Sequence, residues 1–367
     1  MFTVLKRVSA AGAIVALSVT AAPAVAQAET TPGWHIAYSS PDAPQDDFYD
    51  IAVTGPGDAW AVGSGPCCVQ GDHQKISHWD GSGWRDVTPP EAPGGDRAAS
   101  LLKVAASSPA NVWTFGITSN GETYGHHWDG STWRTTVFDP DIGIADAAVL
   151  APDDAWFVGY EQTDDGEVGI ASHYDGSGWT TMPLPIVPEQ MSAARGAVWA
   201  TGRSGNGAPA TVRWTGSSWR EVPLPEPALS PGVAAYPGDV LALGPRDAWT
   251  SMVLGKDDSV WPGAVLYHWN GRRWRQVKIN APEDMLYRLA PDGRGGLWIV
   301  SQHVHESAYL LHYSRGRVTR QPAPTGDGTA ASIEAIALVP GTRSLLAAGV
   351  LRTEESWGAA IYGYDPR

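Results

Sequence analysis

Cysteine is almost missing. The 367 residues include two, and these are adjacent, Cys67 and Cys68. A disulfide framework is excluded, and so is a four-thiolate metal site. Cations are also scarce, with 25 Lys and Arg against 39 Asp and Glu and a formal net charge of −14. Such a chain repels phosphate backbones and anionic lipid surfaces, so nucleic acid is not expected as a partner. Beyond the N-terminal segment, no stretch approaches the roughly 18 apolar residues that a membrane-spanning helix requires. Phenylalanine and methionine number five each, and 18 tryptophans dominate the aromatic content.

The first 28 residues read as a secretory signal. Lys6 and Arg7 precede an apolar run from Val8 to Ala22, and Ala24-Val25-Ala26 or Ala26-Gln27-Ala28 supplies the small residues of a cleavage site. Residues 29–367 are then a secreted single domain, off the membrane once the signal is cut. Loss of Lys6 and Arg7 makes it more acidic still.

The tryptophans recur in phrase. Asp58-Ala-Trp-Ala-Val-Gly, Asn111-Val-Trp-Thr-Phe-Gly, Asp154-Ala-Trp-Phe-Val-Gly and Ala197-Val-Trp-Ala-Thr-Gly are followed by copies from Asp247 and Gly296 and a worn one ending at Gly349. Between them runs a second phrase, His78-Trp-Asp-Gly-Ser-Gly-Trp, repeated at His127 and, varied, at His173, Arg213, His268 and His312. The first-phrase tryptophans, 60, 113, 156, 199, 249 and 298, lie 43 to 53 residues apart, close to the period of four-stranded propeller blades, about 40 to 50 residues. Short β-branched and aromatic runs bounded by Gly, Pro and Asp read as strands and tight turns. Seven units imply an all-β, seven-bladed β-propeller of four-stranded antiparallel blades. The seventh unit stops at Arg367 without its last strand, and Gly33-Trp34 at the other end matches Gly83-Trp84. Residues of about 33–39 therefore complete blade 7 and remove an unpaired edge.

These repeats resemble the secreted bacterial propellers of the kelch and galactose-oxidase central domain type, over nearly the whole chain after residue 28. The turn after the second-phrase Asp also echoes the Asp-box of sialidases, one residue shorter. The kelch Gly-Gly doublet and the sialidase arginine triad have no counterpart here, so no catalytic residue carries over. Such folds serve glycan binders, protein hubs, hydrolases and lyases alike.

Repeat position separates fold residues from candidates for function. The repeat histidines, His78, His127, His173, His268 and His312, sit on the third strand of separate blades and are read as structural, bonding to a neighbouring turn or packing between blades. The motif tryptophans are read as blade core that places its indole donors, and Asp80, Asp129 and Asp175 as acceptors for turn amides beside glycines of positive φ. Acidic residues leading into the inner strands, among them Asp46, Asp47, Asp50, Asp141, Asp239, Glu283 and Asp284, are read mainly as solvated surface. Calcium is a weaker alternative, since they form no compact ligand loop.

Off-repeat residues gather on the face formed by the loops between second and third strands: Cys67, Cys68 and His73 in blade 1, Trp261 in blade 5, His303, His305 and Glu306 in blade 6, and Trp357 in blade 7. Trp261 and Trp357 could stack on a ligand. His303 and His305 have a metal-compatible spacing without a third ligand. Cys67 and Cys68, with no other thiol to pair with, are read as a strained vicinal disulfide. The expected function is an extracellular ligand-binding or protein-interaction propeller, a monomer needing no cofactor, with a glycan or protein partner on that face. Two alternatives stay open: a secreted hydrolase or lyase using a His and an acid there, and a pure scaffold.

Overall fold

Each Asp-Ala-Trp phrase forms the second strand of a four-stranded antiparallel sheet, and seven such sheets are present. The computed structural model describes residues 33–40, 45–65, 73–256, 263–279, 285–301 and 307–366. We number the sheets as blades 1 to 7 and letter their strands A to D from the axis outward. The A strands are Asp47–Gly55, Ser100–Ser108, Ile142–Ala151, Val187–Ala194, Ala234–Gly244, Arg288–Pro291 and Ala330–Leu338. Blade 7 closes as expected: Gly33–Ser39 pairs antiparallel with Trp357–Asp365, placing Gly33 opposite Asp365 and Ser39 opposite Ala360. The ring is sewn from both ends of the chain.

The core lies between blades. Trp60 packs on Trp128 and Trp133 of blade 2, and Trp113 on Tyr174 and Trp179 of blade 3. Trp156 meets Trp214 and Trp219, Trp199 meets Trp269 and Trp274, and Trp298 meets Tyr364 and Trp34. Edge-to-face and tilted geometries prevail, as ring quadrupoles prefer. Not every indole finds an acceptor: Nε1 of Trp34, Trp113, Trp179, Trp199 and Trp219 is buried without one.

The repeat histidines act inside their own blade. Nε2 of His78 lies 2.8 Å from Asp58, and the equivalent contacts are His127 to Asn111, His173 to Asp154, His268 to Asp247 and His312 to Asp292. Each ring also stacks on the tryptophan of its own strand B, from 3.9 Å for His78 on Trp60 to 4.6 Å for His312 on Trp298. The contact is therefore cross-strand rather than between blades. Asp58 serves three donors at once, His78, Trp60 Nε1 and Thr54 Oγ1. Asp58→Ala should cost about 1–3 kcal/mol in urea unfolding by orphaning them, whereas Asp58→Asn, which copies Asn111 of blade 2, should cost less.

The turn aspartates behave as expected. Asp80 Oδ1 accepts the amides of Ser82 and Gly83, and Asp129 and Asp175 repeat the pattern. Gly81, Gly130 and Gly176 have φ near 90°, a region costly for residues with a Cβ. These bonds hold the Asp80 carboxyl down to about 2, the Ser82 hydroxyl contributing most.

The closing glycine of the strand B phrase has a different purpose. A Cβ on Gly63 would stand 1.8 Å from the Asp47 carbonyl, and one on Gly159, Gly202 or Gly349 would be as close to the facing A strand. Opposite each of them strand A carries a bulge: the register skips Tyr49, Ala145, Glu189 and Glu334. A bulge re-aims side chains. Here it re-aims them at the mouth of the central channel.

Candidate functional site

Two tiers of side chains follow from these bulges. The skipped residues, with Tyr287 in blade 6, belong to the channel mouth on the face of the B to C and D to A loops. The residues one step further along, Asp50, Lys103, Asp146, Asp239 and Arg288, belong to its wall. A single charged residue in each of blades 1, 2, 3, 5 and 6 is invisible as a pattern in any one strand, yet closure of the ring brings these five together.

The wall is a chain of links from blade to blade. Asp50 accepts the Val104 amide of blade 2 at 2.9 Å, Asp146 the Met191 amide of blade 4 at 2.8 Å, and Asp239 the Leu289 amide of blade 6 at 2.7 Å. Lys103 of blade 2 reaches Asp146 of blade 3 at 3.4 Å, Ser192 of blade 4 accepts the Ala242 amide of blade 5, and Arg288 of blade 6 donates to the Glu334 carbonyl of blade 7. Burial pushes the carboxyls of Asp50 and Asp239 up to about 6, against the pull of Lys103 and Arg288 respectively. Burial opposes the Lys103 charge too, but Asp146 and Asp50 outweigh it and hold the ammonium above its usual range. The expectation of solvated acids thus fails for Asp50 and Asp239, and for Asp46, which is 3% exposed and ion-paired with Lys75 at 2.8 Å.

Above this wall, a cavity of about 330 Å³ opens across blades 4, 5 and 6. Glu189 and Arg203 form an ion pair at 2.8 Å on one side, and the Arg203 guanidinium lies over Tyr236 at 5.3 Å. Arg288 lies over Tyr287 at 4.1 Å, and both line the same basin, as does Met285. Two tyrosine rings, two guanidiniums and a carboxylate around a small basin can stack on a planar or sugar ring and bond to its polar edges. The sequence does not single these residues out, because Glu189 and Tyr236 sit in A strands and Tyr287 immediately before one, rather than in the loops that carry the off-repeat residues. For Glu189 alone a signal was present, the strand B glycine Gly202 beside which strand A bulges.

The residues singled out in the sequence are distributed differently. Trp357 begins strand C of blade 7, half-buried, beside a depression of about 110 Å³ lined by Ser39, Leu351 and Thr353. Its indole bonds to the Asp47 carboxyl of blade 1, whose pKa burial nonetheless raises. His73 is half-buried at the entry to strand C of blade 1, with its amide donating to the Arg97 carbonyl of the blade 1 to 2 connection. Cys67, Cys68, Trp261, His303, His305 and Glu306 lie outside the described residues, as do Glu283 and Asp284. Among the described residues no cluster of three or more His, Cys, Asp and Glu could hold a metal, and no helix is long and apolar enough to cross a membrane.

Family models and curated proteins return no match to this chain. Solved structures do. A structure described as YCF48 bound to D1 peptide aligns over 95% of this chain and 100% of its own, at 13% identity and a TM-score of 0.56. The propeller domain of the Trilobed protease from Pyrococcus furiosus, described as having an open velcro topology, aligns over 88% and 95% at 8% identity and a TM-score of 0.54. What is shared is the propeller fold. A six-bladed fucose-binding lectin of Aleuria aurantia aligns over 76% of this chain and 95% of its own, at 14% identity and a TM-score of 0.46.

Proposed function

We propose that this propeller is an exported, monomeric binding protein that seats a glycan or a protein segment over the mouth of its central channel. The observation that carries this is the basin of Tyr236, Tyr287, Arg203, Arg288 and Glu189, in which stacked guanidinium and tyrosine pairs surround about 330 Å³. The repeat histidines and tryptophans are engaged within or between blades in contacts that recur around the ring, whereas Tyr236, Tyr287, Arg203 and Glu189 occupy positions outside those recurring contacts. The N-terminal signal-like segment supports export, and the acidic balance argues for a neutral or basic partner. Affiliation with the kelch and galactose-oxidase central domain type belongs to the same proposal and rests on the repeat phrases. Trp261, Trp357, His303, His305 and Glu306 are carried forward as a further rim of this face.

Glycan-array and peptide-array screening of the purified protein supplies the test. A hit of either class should lose at least tenfold in affinity in Tyr236→Ala and in Tyr287→Ala, about 1.4 kcal/mol or more each, with the melting temperature little changed. Full retention of binding by both variants would remove the basin as the site.

A further inference from the structure

Blade 4 breaks the repeat at two of three linked positions. Where blades 1, 2, 3 and 5 open strand B with Asp or Asn, and blade 6 supplies Asp292 from the preceding turn, blade 4 has Ala197. Where those five have His, it has Arg213; the tryptophan, Trp199, is kept and is fully buried. The guanidinium of Arg213 lies over the Trp199 ring at 5.6 Å. In blades 1 and 3 the aspartate accepts from both the tryptophan and the histidine. Their counterparts in blade 4, Trp199 Nε1 and Arg213 Nε, are both buried donors without a hydrogen-bond partner. Blade 2 shares the unpartnered indole at Trp113, but there His127 keeps Asn111, so no cation is left over.

Arg213 and Ala197 line a groove of about 340 Å³ between blades 3 and 4, on the face of the A to B and C to D turns, opposite the channel mouth. Trp214 and Thr215 continue that wall, and Asp154 and His173 form the other. A guanidinium fixed over an aromatic ring with an unsatisfied N–H is suited to a carboxylate. The surroundings narrow the class. Asp154 makes both its bonds, to His173 and Trp156, through Oδ1, so Oδ2 can accept a hydroxyl. An acidic side chain offers Asp154 no hydroxyl, whereas a sugar acid brings hydroxyl donors beside its carboxylate and an apolar ring face for Trp214. We infer that the groove between blades 3 and 4 is a binding site for a carboxylated sugar, with Arg213 taking the carboxylate and Asp154 a hydroxyl.

This site is separate from the channel mouth and stands whether or not that basin binds anything. Titration calorimetry with glucuronate, galacturonate and mannuronate, each beside its neutral hexose, tests it on the purified protein. At least one uronate should bind tenfold or more tighter than its hexose. Ala197→Asp should abolish that binding by giving Arg213 an internal partner, and should raise the melting temperature. The double variant Ala197→Asp with Arg213→His restores the composition of blades 1, 3 and 5, and should fold and fail to bind. Absence of binding by all three uronates, equal binding of uronate and hexose, or undiminished binding by Ala197→Asp would overturn the proposal. Tighter binding of an N-acetylglutamate amide than of any uronate would overturn the sugar assignment.

Discussion

Trp298→Ala is expected to lower the unfolding free energy by about 3–5 kcal/mol, as truncation of a buried tryptophan does when the hole cannot collapse. Trp298 is 2% exposed and meets Trp34 edge-on at 5.5 Å, Tyr364 at 4.6 Å and its stacked His312 at 4.6 Å. Trp34 lies in the strand from one end of the chain and Tyr364 in the strand from the other. The same ring therefore packs blade 6 against blade 7 and holds both halves of the closing pair. Trp156→Ala, at the ordinary interface between blades 3 and 4, should cost a similar amount at equilibrium but without freeing a chain end. Hydrogen exchange checks the distinction: in Trp298→Ala, amides of Gly33–Ser39 should lose protection ahead of global unfolding, and in Trp156→Ala they should not. Equal protection in both would mean that the closure is held by backbone pairing alone.

Lys103→Met should cost about 3 kcal/mol at pH 7, because it removes the cation between two carboxylates and leaves the partners of a largely buried pair uncompensated. Lys103 and Asp146 are 16% and 13% exposed, and Asp50 faces the same ammonium. The cost should shrink toward pH 5. The folded-state carboxyl of Asp50 is already raised to about 6 from 3.8 by burial, with Lys103 pulling it down. Such a group contributes stability that is full below about 3.8 and lost as pH rises through about 6. Without Lys103 the carboxyl rises further, and a proton taken up at pH 5 replaces the missing positive charge. Wild-type stability against pH alone would not reveal this, since burial lowers His126 to about 4. That histidine contributes in the opposite direction, its stabilisation being lost as pH falls through about 4. His126 is common to both proteins and cancels in their difference. Urea unfolding of both at pH 7 and pH 5 is the measurement, and a difference independent of pH would show that Asp50 does not titrate in this window.

The fold was legible because propeller strands repeat their chemistry locally. Spacing of the strand B tryptophans marked the blades, and the match of Gly33-Trp34 to Gly83-Trp84 placed the closing strand, later seen as Gly33 opposite Asp365. Turn chemistry at Asp80, Asp129 and Asp175 was equally readable, since its partners lie two and three residues away. The wall of the channel was not. Asp50, Lys103, Asp146, Asp239 and Arg288 are 43 to 93 residues apart in turn, and each alone resembles a surface charge; ring closure gives them their partners. The basin residues escaped for a related reason: Glu189 is thrown out of alternation by the bulge facing Gly202, and Tyr236 and Tyr287, near the starts of inner strands in the next two blades, join it only when the ring assembles. The paired change at Ala197 and Arg213 was present in the repeat alignment, but without the partners of His173 and Asp154 it could pass for ordinary drift.

The shared blade has a bearing on how the molecule comes to exist. Gly33 and Asp365, paired in one sheet, stand some 330 residues apart, and joining ends so distant in a flexible chain would cost on the order of 5 kcal/mol in loop entropy. Blades 1 to 6 take all four strands from contiguous sequence and can assemble in the order they are synthesised. The strand Gly33–Ser39, by contrast, has no partner until Trp357–Asp365 has been made. Throughout its synthesis the protein is an arc with two unmatched edges, and it becomes a circle in a single late event that no partial chain can rehearse.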